Sequence, residues 1–228
     1  MSDIYTTGEY ARDNPTYHVE DAPWKAQHVL RLLSKHGIQP ERVVEVSCGA
    51  GAILKALQTA LGPDTILEGY DVSPQAIALA KQHENDRLRF FRQDIETLPD
   101  GAYDLALCID VFEHVEDYLG FLRMLRDKAT YKMFHIPLDM TVLSVLGNSP
   151  AYTREAVGHL HYFSPDTALL TLRDTGYEII DWFFTPSRID ATPTRASRLL
   201  KLPRRLGFKL NQRLAVRILG GYSLLALT

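Results

Sequence analysis

Apolar residues along the 228-residue chain follow two alternating rhythms. Trp24 to His36 (WKAQHVLRLLSKH) has the spacing of an amphipathic helix, with Pro23 at its start and Gly37 at its end. Arg42–Val46 (RVVEV) is a short β-branched run and predicts a buried strand. A small-residue turn over 48–51 leads into a predicted helix, Ala52–Leu61. Thr65–Tyr70 predicts a second strand, and Pro74–Glu84 a helix with Ser73 as its N-cap. Further strands are predicted at Leu88–Gln93 and Tyr103–Asp110, a helix at Val115–Arg126, and a fifth strand at Tyr131–Ile136, stopped by Pro137. Strands and helices alternating at this length predict βαβ units and a parallel sheet.

Beyond Pro137 the rhythm changes. Residues 138–163 hold several turn formers and no clear period, which predicts a loop or lid. Ser164-Pro165 opens a helix over Asp166–Thr175, capped by Gly176, and Tyr177–Phe184 follows as a strand. Residues 195–219 predict one or two amphipathic helices interrupted at Pro203 and Gly207, and Tyr222–Leu227 a final strand. Seven strands are expected in all.

Composition adds little to this picture: 46% apolar and 23% charged residues are ordinary for a globular chain. There is no apolar run of the ~20 residues a membrane span needs. The N-terminus lacks the basic start and apolar core of a signal peptide, so the expected compartment is the cytoplasm. Cys48 and Cys108 are expected as reduced thiols. Charge is more informative. Eight basic and no acidic residues lie beyond Asp190, leaving 17 basic against 28 acidic before it, or −11. The acidic body argues against a nucleic-acid partner. The basic segment 195–217 has two readings: a packed amphipathic segment with a solvated edge, or a surface for an anionic acceptor or an acidic membrane.

The chemistry concentrates at Val43-Val44-Glu45-Val46-Ser47-Cys48-Gly49-Ala50-Gly51, where a strand turns through Gly-x-Gly into a helix. Glycines allow close backbone approach to a ligand, and the helix start presents free N–H groups. A dinucleotide fingerprint requires a third glycine where Leu54 stands, and no Gly-Lys-Ser/Thr follows for a phosphate loop. Asp71 stands 20 residues after Gly51 at the end of the second strand, placed to accept both hydroxyls of a ribose. Asp94 ends the third strand beside Ile95.

With these residues the sequence resembles the class I S-adenosylmethionine-dependent methyltransferases, in their small-molecule branch of the type 11/12 kind. The motifs are VVEVSCGAG (43–51), EGYDVSP (68–74), RQDIETLP (92–99) and YDLALCIDVFEHVED (103–117). The resemblance implies a Rossmann-like, doubly wound α/β fold with a mostly parallel seven-stranded sheet and an antiparallel last strand. It implies one domain over 1–228: a helical cap (1–40), a cofactor-binding half (41–137), the lid or loop (138–165) and a C-terminal half (166–228). Glu45 and the Ser47–Gly51 backbone, with Gly49 and Gly51, would hold the methionine moiety of S-adenosylmethionine. Asp71 with Val72 would take the ribose, and Asp94 with Ile95 the adenine. The backbone through Ile109 and Asp110 would line the methionine amine, with His114 beside it. Family members usually carry glycine where this chain has Ser47.

Methyl transfer from a sulfonium needs positioning and a dry site, and no metal. A hydroxyl acceptor would benefit from a base, for which His114, His159 and His161 are candidates. Zinc is not expected at His159 and His161, since no cysteine or carboxylate lies at ligand spacing along the chain. Tyr5, Tyr10, Tyr17, His18 and Trp24 read as aromatic packing or as a cap over the site. The expected function is methyl transfer to a small-molecule acceptor; the alternative is a non-catalytic cofactor-binding protein of the same fold. A nucleic-acid amino-methyltransferase would carry an Asn/Asp-Pro-Pro-aromatic tetrad where this chain has Ile109-Asp110-Val111-Phe112.

Overall fold

A computed structural model describes residues 4–186 and 195–228. Its strands are β1 (Arg42–Val46), β2 (Ile66–Asp71), β3 (Leu88–Arg92), β4 (Tyr103–Ile109), β5 (Ala129–Pro137), β6 (Asp181–Thr185) and β7 (Ser223–Leu227), forming one sheet in the order β3-β2-β1-β4-β5-β7-β6. The first five pair in parallel, and β7 runs antiparallel to both β5 and β6. The doubly wound, seven-stranded expectation is met, including the reversed last strand.

Successive strand residues serve opposite faces, so the central strands are apolar throughout. Val43, Leu105, Leu107 and Met133 pack under α3 (Ala22–His36), α4 (Ala52–Gln58) and α5 (Pro74–Ala80), through Val29, Leu32, Leu54 and Ile77. Val44, Ala106, Cys108 and Phe134 face the other way, onto Leu122 and Leu125 of α6 (Tyr118–Arg126) and Leu172 of α9 (Pro165–Asp174). Both cysteines are free and buried.

Two predictions about the second half are corrected. Residues 138–163 are not a bare loop: they hold α7 (Val142–Leu146) and α8 (Ser149–Val157). Each is too short to show a period and is set by its ends, a Thr141/Ser144 capping box in one and Asn148, Pro150 and Gly158 in the other. The basic segment also breaks elsewhere than expected. Helix α10 (Arg195–Leu210) runs through Pro203 and Gly207, and the break falls at Asn211, whose side chain caps α11 (Gln212–Leu219) by accepting from Leu214 N at 3.0 Å. Gly207 allows close packing instead: a Cβ there would stand 3.2 Å from Leu219 Cδ1. Arg204, beside the proline, is buried, with Nε and Nη2 donating to Leu219 O while the Tyr222 hydroxyl donates to Arg204 O. These tertiary contacts hold the turn together despite the missing amide. Among the described residues no helix is long and apolar enough to cross a membrane. Two short N-terminal helices, α1 (Ile4–Thr7) and α2 (Glu9–Asp13), precede the 15-residue α3.

Candidate functional site

In an open α/β sheet, ligands collect at the carboxyl ends of the strands where the strand order reverses. Here that point lies between β1 and β4. The turn after β1 leaves the sheet at Ser47, which adopts a left-handed φ of 53°. A non-glycine residue costs on the order of 1 kcal/mol in that conformation. The turn is pinned by Cys48 N donating to Tyr70 O (3.1 Å) and Gly51 N donating to Cys48 O (2.9 Å). Ser47→Gly is accordingly expected to stabilise the protein by up to about 1 kcal/mol in urea denaturation; a loss of stability would show that the serine makes a compensating contact.

Gly51 does not border the cavity. Its φ is 74°, and a Cβ would stand 2.4 Å from Phe90 Cζ and 3.1 Å from Ala80 Cβ. It lets the turn sit down on β3 and α5.

Two cavities open along this edge. The first, of about 370 Å³, is lined by Glu45, Ser47, Gly49 and the Asp71–Ser73 turn, with Ile109 and Asp110. His114, His135, Asp139 and His159 line it as well, together with Tyr5, Tyr10, Tyr17, Trp24 and Lys25. The second, of about 740 Å³, is lined by Asp94, Ile95, Glu96 and Phe121. Ser47, Asp71 and Val72 border both.

Asp71 is held at that junction by two backbone donors, Gly49 N to Oδ2 (2.9 Å) and Ser73 N to Oδ1 (2.8 Å). Burial raises its pKa and the N–H bonds oppose this. Each oxygen keeps a further lone pair. Asp94 accepts from Glu96 N at 3.1 Å and so caps the turn after β3, beside the buried Ile95.

Glu45 is 2% exposed, and its Oε2 accepts no hydrogen bond. Burial pushes its pKa up to about 8, opposed by Lys25 and by the Leu54 N–H at the start of α4. Unfolded, this carboxyl ionises near its ordinary 4.5. The folded chain therefore holds the extra proton between those values, and Glu45 lowers stability progressively as pH rises through that window. Glu45→Gln removes the titration, so its thermal stability relative to the parent is expected to improve from pH 5 to pH 8. Parallel curves would show that the carboxyl is already ionised in the fold.

Asp110, also left-handed at φ 55°, meets two partners that the sequence did not point to. His135 Nδ1 lies 2.6 Å from its Oδ1, and Lys25 Nζ 2.8 Å from its Oδ2. Burial opposes the charge, but His135 and Lys25 outweigh it and hold this carboxyl well below the usual range. His135 continues through Nε2 to Thr185 Oγ1 at 2.9 Å. The aromatic segment packs together and borders the cavity. The Tyr5 and Tyr10 rings pack at a tilt with centroids 4.9 Å apart, Tyr17 reaches Ser73 Oγ at 3.2 Å, and all three line the cavity.

The three histidines separate. His161 leaves the cavity: its Nε2 donates to Val115 O at 2.9 Å and its ring packs on Tyr118. His159 lines the cavity with Nδ1 2.7 Å from Asp139 Oδ2. His114 Nδ1 lies 3.1 Å from Gly158 O and 2.9 Å from the Tyr5 hydroxyl. Burial and the neighbouring His159 lower the His114 pKa to about 4, so its ring is neutral at pH 7. A carboxylate does accompany this pair. Ligand atoms of Glu113, His114 and His159 all lie within 4.8 Å of one another. Along the chain no carboxylate stands at ligand spacing from His159 and His161; the fold brings His159, not His161, to Glu113 and His114, with Leu160 N and His161 N both donating to Glu113 O (2.8 and 3.1 Å).

Known proteins agree with this architecture. Residues 18–181 match the model of a family described as a methyltransferase domain. The mitochondrial ubiquinone biosynthesis O-methyltransferase of Schizosaccharomyces pombe is 33% identical over 96 residues, covering 39% of this chain and 34% of the relative. Its counterpart from Xanthomonas campestris is 25% identical over 156 residues, covering 63% of this chain and 62% of the relative. The chain thus spans less than two thirds of either relative. The magnesium protoporphyrin IX methyltransferase of Synechocystis, solved with bound SAH, superposes with a TM-score of 0.60 at 19% identity, covering 90% of this chain and 81% of that one.

Proposed function

The chain belongs to the methyltransferase-domain family, and from that premise we propose that it transfers the methyl group of S-adenosylmethionine to an oxygen, nitrogen or carbon of a small-molecule acceptor. The observation that carries this reading is the pair of cavities joined at Ser47, Asp71 and Val72, with an unpartnered, buried Glu45 oxygen in one and Asp94 in the other. A molecule with a cationic amino-acid end, a ribose and a base fits that order of groups. Glu45 would accept from the ammonium, Asp71 from the ribose hydroxyls, and Asp94 from the adenine amino group beside Ile95. The backbone of Ser47–Gly49 and of Ile109–Asp110 would line the methionine portion.

Bound there, the sulfonium supplies a methyl group for in-line displacement. The chain's own residues position and desolvate. Tyr5, Tyr10 and Tyr17 exclude water from above, and their ring faces favour a cation. The Lys25–Asp110–His135 chain fixes the strand end against which the donor would lie. A screen of acceptors with methyl-labelled S-adenosylmethionine tests the reading. Label transfer with release of S-adenosylhomocysteine is expected for an acceptor class; cofactor binding without turnover across the screen would favour the non-catalytic alternative.

The exposed residues support one arrangement, in which the acceptor is met at a surface. Leu202, Leu206, Leu210 and Leu214 are exposed, Leu210 at 87%, beside Arg205, Lys209 and Arg213. Val142, Val145 and Leu146 of α7, on which α11 packs, extend the apolar face. A basic rim around exposed leucines suits an anionic bilayer, at about 1 kcal/mol per cation. The chain is expected to pellet with anionic but not neutral vesicles, with less pelleting at higher salt, and Leu206→Asp/Leu210→Asp is expected to release it. Equal pelleting with both lipids, or none, would remove the membrane from this reading.

A further inference from the structure

Glu113 is 1% exposed, and neither oxygen of its carboxylate accepts a hydrogen bond. A carboxylate buried in this way is costly unless a cation meets it. Two imidazoles stand beside it: His114 Nε2 is 3.9 Å from Glu113 Oε1, and the rings of His114 and His159 lie 4.8 Å apart at 79°. Each ring has its Nδ1 directed at an acceptor, Gly158 O for His114 and the Asp139 carboxylate for His159. With Nδ1 protonated, Nε2 of each ring carries the lone pair. A histidine whose second nitrogen donates to a carboxylate or carbonyl is the usual preparation for metal ligation. Ligand bonds of about 2.0–2.2 Å place neighbouring donors about 3–4 Å apart. The ligand atoms here lie within 4.8 Å of one another, so they must draw together to share one ion.

We propose that Glu113, His114 and His159 hold a divalent transition-metal cation of the zinc or manganese class, which binds an oxygen acceptor at the wall of the first cavity. The inference rests on the methyl-transfer reading and narrows its acceptor to a hydroxyl or phenol. Two imidazoles and a carboxylate suit such a cation and leave coordination positions open. His114 and His159 line the cavity, so the open positions face the space shared with Glu45 and Ser47. The cation lowers the pKa of the acceptor hydroxyl, whose proton passes to water. The oxygen lone pair then forms the new O–CH3 bond. The C–S pair remains on sulfur, and the sulfonium becomes a neutral thioether.

The test uses the whole chain, stripped with a chelator, dialysed and titrated calorimetrically with Zn2+ and with Mn2+, and separately with S-adenosylhomocysteine. One equivalent of metal per chain is expected, and cobalt(II) added in its place is expected to give visible absorption bands of an N/O-ligated ion. Glu113→Gln and His159→Asn are each expected to lower metal affinity by tenfold or more. Asp139→Asn, a milder change, is expected to lower it about 10–100-fold by releasing the His159 ring. His161→Ala is expected to leave it unchanged. Binding of S-adenosylhomocysteine without stoichiometric metal, or metal binding that survives Glu113→Gln and Asp139→Asn, overturns the metal site and leaves methyl transfer standing. Failure to bind S-adenosylhomocysteine overturns the methyl-transfer reading and this inference with it.

Discussion

Gly51→Val is expected to destabilise the protein by roughly 2–5 kcal/mol, from backbone strain and overpacking together. The backbone there sits at φ 74°, a conformation a β-branched residue strongly disfavours. The added Cβ would also meet the Phe90 ring at 2.4 Å and Ala80 Cβ at 3.1 Å, and Phe90 is itself 1% exposed. Neither strand nor helix can move away without breaking the β2–β3 register that pairs Gly69 with Phe90. Chemical denaturation measures the loss. Gly51→Ala, which keeps the strain and adds less volume, is expected to fall between parent and valine variant. A valine variant within about 0.5 kcal/mol of the parent would mean that the turn does not rest on Phe90.

Asp71→Ala is expected to weaken cofactor binding about 10–150-fold, the equivalent of roughly 1.5–3 kcal/mol for lost hydrogen bonds to a charged acceptor. The carboxylate is aimed by Gly49 N and Ser73 N, and it borders both cavities. Its removal also frees two backbone donors, so a modest loss of stability accompanies the affinity change. Asp71→Asn, with an amide in the same place, is expected to recover stability more than affinity. Affinity for S-adenosylhomocysteine, measured by calorimetry on variants shown to be folded, separates the two effects. Unchanged affinity in a folded alanine variant would remove Asp71 from the ribose.

The half of the chain that carries βαβ units was largely legible from residue order, because each unit is built from neighbours in sequence. The strand bounds Arg42–Val46 and the turn through Gly49 and Gly51 follow from a β-branched run meeting small residues. Strand ends in a parallel sheet share an edge, so Glu45, Asp71 and Asp94 come to one side without further information. The rest depends on contacts distant in sequence. Lys25 and His135 meet at Asp110 across 110 positions, and nothing local in PWKA or KMFHIP marks either as a partner. Gly158-His-Leu-His looked like a pair of equal candidates. The backbone bonds from 160 and 161 to Glu113 O turn His159 into the cavity, while His161 settles on Val115 O. A local signal was available for the helix break at Asn211, since asparagine is among the favoured N-caps. Proline and glycine mark the expected breaks because their effect on an isolated helix is larger. Packing against Leu219 and Tyr222 reverses that order in the fold.

The central claim is that one ligand, S-adenosylmethionine, spans the two cavities that meet at Ser47, Asp71 and Val72. Calorimetric titration of the whole chain with S-adenosylhomocysteine tests it most directly, since this product keeps the amino-acid, ribose and adenine groups without the reactive sulfonium. The account predicts saturable binding of one molecule per chain, weakened by Asp71→Ala. A folded chain that takes up no S-adenosylhomocysteine at millimolar concentration would contradict it.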